Sequence, residues 1–415
     1  MSLTLILITL LLFWLAVALL LWIIKRDLFK KTWRETYIKE RVLVIESDDW
    51  GPGGDFHAER LEQLSKLLSS FKDSKGRPAV LTADMVLSVP DLKQTMKAPD
   101  QQLKRNTLNN DFPIVHLAFI NAMEKGVLVP QLHGLEHLHG EGLKRLADKN
   151  DPRVEDATQT ERWWDWETLD SPLQGHYVDG TSLPTKAHAA DIQKAIIDQA
   201  TQLFEQCFGF STESTAAPCY LWVDDTEKAW AEKHIQFIQT AGYRCSGRRG
   251  DGSYVQDLQE TRPGDRNALG QVYLVRNAMY EPVDGRREDD CIRQIEQAYA
   301  QASPATISTH RYNDPRTEDE FKMSLRGLQK ILQHCTKKYT DLRFASSPEL
   351  GQWFLDQGNL TNPADKTIWP ALPVITGLKK TGPFLNRLWY RHRKIRQIAI
   401  VTGLVIPAGL LARVL

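Results

Sequence analysis

Residues 1–24 carry no charged side chain and are almost wholly apolar, with Leu and Ile dominant. A helix needs about 20 such residues to cross a bilayer, so this stretch must be buried, in lipid or in a core. A cleaved secretory signal opens with basic residues and closes a shorter apolar core on a small-residue site. Here no Lys or Arg precedes the run, which ends Leu19-Leu20-Leu21-Trp22-Ile23-Ile24. The reading is an uncleaved transmembrane anchor over 1–24, with Trp22 at headgroup level. Lys25, Arg26, Lys30, Lys31 and Arg34 follow, in a basic linker over 25–39. At the other end, a second linker over 356–397 carries Arg387, Arg391, His392, Arg393, Lys394 and Arg396. It leads into an apolar segment, 398–415, whose run from Ile398 to Ala412 is short for a span and holds Gly403, Pro407 and Gly409. That segment is expected to touch the membrane a second time or to pack on the protein as a hydrophobic tail.

Between these ends, short apolar runs alternate with amphipathic ones. Val42-Leu43-Val44-Ile45, 127–129, 271–275, 305–308 and 343–345 read as strands; 189–208, 226–241, 289–302 and 318–338 read as helices. Such alternation predicts an α/β fold with a parallel sheet, open or closed into a barrel. Residues 146–187 break the rhythm with acidic and aromatic residues, Trp163, Trp164 and Trp166 among them. They read as an insertion, either a lid or a surface excursion. Lys+Arg and Asp+Glu both total 52, a balance that argues against a general nucleic-acid binder. The five Cys are scattered without CxxC spacing, which gives neither a disulfide framework nor a thiolate metal site.

The chemistry gathers at three strand ends. The first strand runs into Glu46-Ser47-Asp48-Asp49-Trp50-Gly51. In parallel α/β folds that end of a strand is where sites form, and adjacent carboxylates point in different directions. Two like charges so close call for a cation between them. Strand 127–129 leads into His133-Gly134-Leu135-Glu136-His137, and three of the eleven His fall within 133–139. On a helical turn the spacing of His133 and His137 would let both imidazoles share one ion. One Asp with two His is a suitable set for a divalent metal, zinc before other first-row ions. The third strand ends in Thr309-His310-Arg311, where a His suits a general acid.

In their order along the chain, Asp48-Asp49, His133-x-x-x-His137 and Ile307-Ser308-Thr309-His310 resemble the motifs of the polysaccharide deacetylase family. These are metal-dependent sugar deacetylases built on a distorted (β/α) barrel. The resemblance covers about 40–355 and is nearest to an envelope- or capsule-associated branch, through Ser47-Asp48-Asp49-Trp50-Gly51, Ala217-Pro218-Cys219-Tyr220-Leu221-Trp222, Tyr273-Leu274-Val275-Arg276-Asn277 and Ser347-Pro348-Glu349-Leu350. It implies Asp48 as general base, Asp49, His133 and His137 as metal ligands, and His310 as general acid. It also implies an oxyanion and substrate wall around Cys219, Tyr220 and Trp222. The sequence departs from the family where Ala216 and Cys219 replace the arginine and the aromatic of an Arg-x-Pro-aromatic motif, and where an Asp-x-Asp-Trp motif is not recognisable. Arg276 and Arg311 are the candidates, by position, to replace the arginine.

The expected function is removal of an acyl group, N-acetyl first, from a polysaccharide or lipid-linked glycan at a membrane. Two rivals stand beside it: a zinc metalloprotease using His133-x-x-Glu136-His137, and an inactive glycan-binding relative. Basic residues beside membrane segments tend to stay in the cytoplasm. Both basic clusters lie on the domain side of their apolar runs, which places the domain on the cytoplasmic face.

Overall fold

The computed structural model describes residues 2–100, 102–258, 260–313, 317–356 and 374–414. It divides into two compact units, one of residues 42–292 and 306–369, the other of 1–41, 293–305 and 370–415.

The larger unit is organised on a nine-stranded sheet. Its strands are β1 (Arg41–Trp50), β2 (Leu81–Val86), β3 (Leu128–Gly134), β4 (Ser214–Ala216), β5 (Phe237–Thr240), β6 (Val272–Val275), β7 (Ala278–Met279), β8 (Ala305–His310) and β9 (Leu342–Ala345). They run in the order β6-β5-β4-β3-β2-β1-β8-β7, with β9 also paired to β1. The pairs β1–β2, β2–β3, β3–β4, β4–β5, β5–β6 and β7–β8 are parallel. This is the expected parallel α/β sheet, rolled as an open run with two ends. Val42, Leu43, Val44 and Ile45 are fully buried, as a parallel strand covered on both faces requires.

Several elements differ from expectation. The helix expected over 226–241 is two elements: a helix over Asp224–Glu232 and then β5. His234 has φ +60, a left-handed turn that ends the helix, and Ile235, Phe237 and Ile238 are then fully buried in the sheet. Strand β3 continues past 129 to Gly134, so His133 belongs to a strand and not to a helical turn. Strand β2 and the helices Phe56–Ser70 and Pro113–Glu124 were not legible as elements. β2 carries Thr82 and Asp84 fully buried, which hides a core strand from a hydrophobicity pattern.

The smaller unit contains α1 (Leu3–Ile24), α2 (Arg26–Arg34), α3 (Thr381–Arg391), α4 (Arg393–Val401) and α5 (Val405–Val414). α1 is long and apolar enough to cross a membrane, and its apolar window is only 6% buried within the protein. α4 and α5 are bent by 111° at their junction, where Trp14 Nε1 donates to the Thr402 carbonyl at 3.1 Å. Part of the expected 356–397 linker, residues 357–373, lies outside the described residues. The rest is no linker. Arg387 is buried and donates to Glu35 Oε2 and to the Thr36 carbonyl, each at 2.7 Å, with its guanidinium carbon 3.7 Å from the centre of the Tyr37 ring. Arg391 shares the same Glu35 oxygen at 2.7 Å. One carboxylate pinned by two guanidiniums thus ties α3 to the end of α2.

Candidate active site

The end of β1 is irregular. Its register with β2 slips between Ser47 and Trp50, and Asp49 has φ +69. A bulge of this kind re-aims side chains, and Asp tolerates the left-handed region better than most residues. Gly51 follows at φ +145, and a Cβ there would meet the Val86 carbonyl oxygen at 2.0 Å. The slip lets two adjacent aspartates serve two different partners.

Asp49 turns to the histidines. Its Oδ1 lies 3.4 Å from His133 Nε2 and 3.0 Å from His137 Nε2. The three ligand atoms all lie within 4.8 Å of one another, and all three residues are buried. Donors about 2.1 Å from a tetrahedral zinc sit roughly 3.4 Å apart, so the spacing fits a metal. Beyond these two imidazoles, Asp49 Oδ1 has no hydrogen-bond partner among the described residues, an arrangement that a cation satisfies. Burial holds the His137 pKa below its ordinary value, against the pull of Asp49, and a neutral imidazole is the form that ligates. Neither His133 Nδ1 nor His137 Nδ1 has a hydrogen-bond partner among the described residues. Packing steadies the His137 ring instead: Trp166 stacks on it at 5.1 Å between centroids and 5° between planes.

Asp48 turns to Arg276, which lies just past β6. The guanidinium donates from Nη1 to Asp48 Oδ2 and from Nη2 to Asp48 Oδ1, both at 2.6 Å. Its Nε donates to Glu46 Oε2 at 2.6 Å, and Nη2 reaches Asp84 Oδ2 at 3.0 Å. Tyr220 OH lies 3.0 Å from Nη1. Burial opposes ionisation of Asp48, yet the Arg276 fork outweighs it and holds this carboxyl well below the usual range. Asp84 is driven the other way, by burial first and then by the charge of Asp48. Three buried carboxylates around one cation share too little positive charge for all to ionise.

His310, at the end of β8, completes the group. Its Nε2 is 3.7 Å from Asp48 Oδ2 and its Nδ1 is 2.6 Å from Glu281 Oε1. Burial alone would depress its pKa, but Glu281, with Asp48 and Asp49 beyond, pushes it up to about 10. Its side chain keeps 27% of its surface exposed while that of Asp49 keeps 6%, so the approach to the centre lies on the His310 side. Glu281 was not singled out in the sequence. The only signal for it is its place two residues past β7, at a sheet end.

The remaining expected residues divide. Cys219 and Tyr220 occupy a tight turn with φ +56 and +54; Cys219 Sγ donates to the Gln174 carbonyl at 3.7 Å, and burial raises its thiol pKa to about 11. Trp222 is fully buried and donates to Glu227 at 2.9 Å, so it belongs to the core and offers no face to a sugar. Arg311 does not hold the base. It donates to the carbonyls of Pro52 at 2.7 Å and Trp164 at 2.9 Å, and its guanidinium lies 4.8 Å from the centre of the Trp166 ring. Arg311 thus holds Trp164 and Trp166 of the 146–187 segment in place, and Trp166 covers His137. Glu136 pairs with Arg105 at 3.1 Å, and His133 and His137 share no helix, both against the metalloprotease pattern.

No family model matches the chain, and no curated protein matches it. Solved structures do. A family 4 carbohydrate esterase from Streptomyces lividans is 11% identical, with 76% of this chain and 96% of that one covered at a TM-score of 0.36. A peptidoglycan N-acetylglucosamine deacetylase is 12% identical over 76% and 91%, at 0.38. A pseudoenzyme of the same esterase family from Bacillus anthracis is 8% identical over 76% and 66%, at 0.35. Each of these is a likeness at low identity and at a TM-score below 0.5.

Proposed function

We propose that the protein is a metal-dependent carbohydrate deacylase acting on a sugar of a membrane-associated or envelope glycan. The observation that carries this is the division of labour at the end of β1: Asp49 faces His133 and His137, while Asp48 is forked by Arg276 and lies 3.7 Å from His310. Asp49, His133 and His137 would hold the ion, zinc by donor type, which supplies polarisation of the acyl carbonyl and a more acidic water. Asp48 stays ionised and off the ligand set, and takes the proton of the attacking water. The acyl group leaves as a carboxylate, and His310 gives its proton to the departing amine. Glu281 keeps His310 oriented and charged. The Cys219–Tyr220 turn forms the substrate wall beside Arg276.

Purified protein is expected to retain about one divalent ion per chain and to release acetate from N-acetylated envelope glycan fractions. Bound metal with no acyl release from any glycan would leave a binding protein in place of an enzyme.

His310→Ala is expected to lower turnover by about 10²–10⁴-fold. The required form is the protonated imidazole, present below its pKa, so activity falls as pH rises toward about 10; a cation at Asp49 offsets part of that rise. Glu281→Gln removes the strongest raising contact, and the alkaline limb of the pH–rate profile moves to lower pH. An unmoved limb would detach Glu281 from the proton transfer.

The same reading anchors the chain through α1 and keeps the catalytic unit on the cytoplasmic face, as the basic residues 25–34 suggest. Protease protection of that unit in inverted vesicles would reverse the orientation.

A further inference from the structure

The smaller unit holds a cavity of about 490 Å³ bordered by α1, α2, α3, α4 and α5. Its walls are mostly apolar, with Leu11, Leu15, Phe29, Leu388, Leu404 and Ala408 among them. The volume lies in the range of about 300–1,000 Å³ usual for small-molecule sites. Arg396 is the one charged residue in the lining. It is half-buried and makes no ion pair among the described residues, whereas Arg387 and Arg391 share Glu35. No Asp or Glu follows Asp365 in the chain. A guanidinium drawn into apolar surroundings without a counter-charge is costly, so this one is complementary to an anion.

Depth supplies the second argument. The Trp14–Thr402 hydrogen bond ties the bend between α4 and α5 to the middle of α1. Trp14 lies roughly 16 Å below Lys25 at 1.5 Å per residue, about half the thickness of a hydrocarbon core. Arg396 lies roughly 9 Å along α4 from Thr402, toward the basic end. The cavity therefore follows α1 from Leu11 to Leu21, with Trp14 beside the bend and Arg396 in its wall on α4.

We propose that this cavity seats one acyl chain of an anionic membrane phospholipid, with the lipid phosphate on Arg396. The inference rests on the membrane reading of α1 and not on the hydrolase reading. The test uses the full chain in detergent, titrated with dioleoyl-phosphatidylglycerol, dioleoyl-phosphatidylcholine or inorganic phosphate and read by native mass spectrometry. One phosphatidylglycerol per chain is expected to survive, held at least about tenfold more tightly than phosphatidylcholine, and inorganic phosphate should not displace it. Arg396→Gln should weaken this binding by about tenfold or more. Ala408→Trp, which fills the cavity and leaves every charge in place, should do the same. Lys394→Gln, on the exposed side of α4, should have little effect. Equal binding of the two lipids, displacement by phosphate, or normal binding in a stably folded Ala408→Trp protein would overturn the site. So would Lys394→Gln losing as much as Arg396→Gln, because the attraction would then be diffuse. Release of the chain from carbonate-washed membranes would instead remove the anchor reading on which the site depends.

Discussion

Arg276→Met is expected to lower stability by about 3–5 kcal/mol, the usual cost of stripping a buried charge of its partner, and to abolish turnover. Arg276 is fully buried at its side chain and is the guanidinium that Glu46, Asp48 and Asp84 share. Without it, burial raises all three carboxyls toward the protonated state, and Asp48 is then no longer a base. The sign of the pH dependence follows. Asp48 is held below its ordinary pKa, so its contribution to stability is complete above the unfolded carboxyl pKa and is lost as pH falls through the lower folded value. In Arg276→Met, where burial lifts the folded pKa above the unfolded value, the sign reverses: the carboxyl contribution is full at acid pH, below the unfolded carboxyl pKa, and is lost as pH rises through the raised folded value. Chemical denaturation at several pH values reads both effects, and a loss below about 1 kcal/mol would show that the buried cluster does not depend on this cation.

The second large effect separates neighbours in the chain. Asp48→Asn should remove turnover with the metal content unchanged, because Asp48 faces Arg276 and not the histidines. Asp49→Asn and His137→Ala should lose the metal itself, and turnover with it. Metal analysis of the three proteins side by side gives the answer. Metal loss in Asp48→Asn, or retention in Asp49→Asn, would exchange or dissolve the assigned roles.

How much of this was legible depended on the kind of signal. The apolar stretch 1–24 and the strand at 42–45 announced themselves, since each is a continuous run with a single burial solution. The Asp48-Asp49 pair and the His133/His137 spacing pointed to one centre, although the spacing was read on a helical turn and the structure uses a strand end and the bend after it. Strand β2 stayed hidden because Thr82 and Asp84 are polar residues wholly inside; the distant Gln239 and Arg276, which donate to its two oxygens, make Asp84 tolerable there. Arg311 and Arg276 were equivalent by position, and nothing local distinguishes a guanidinium that donates to two backbone carbonyls from one that grips buried carboxylates. Glu281 was beyond reach for the same reason: its partner His310 lies 29 residues away.

The Asp48–Arg276 fork spans 228 residues of sequence, and the motif that would ordinarily carry an arginine holds Ala216. On the proposed reading the role has changed address while its occupant has kept its chemistry. A scan for catalytic signatures along this chain would register a vacancy at 216 and grade the protein inert. The vacancy belongs to the linear order alone, for in space the cation stands beside the carboxylate. Inactivity in such chains is therefore better judged by which atoms meet than by which letters are missing.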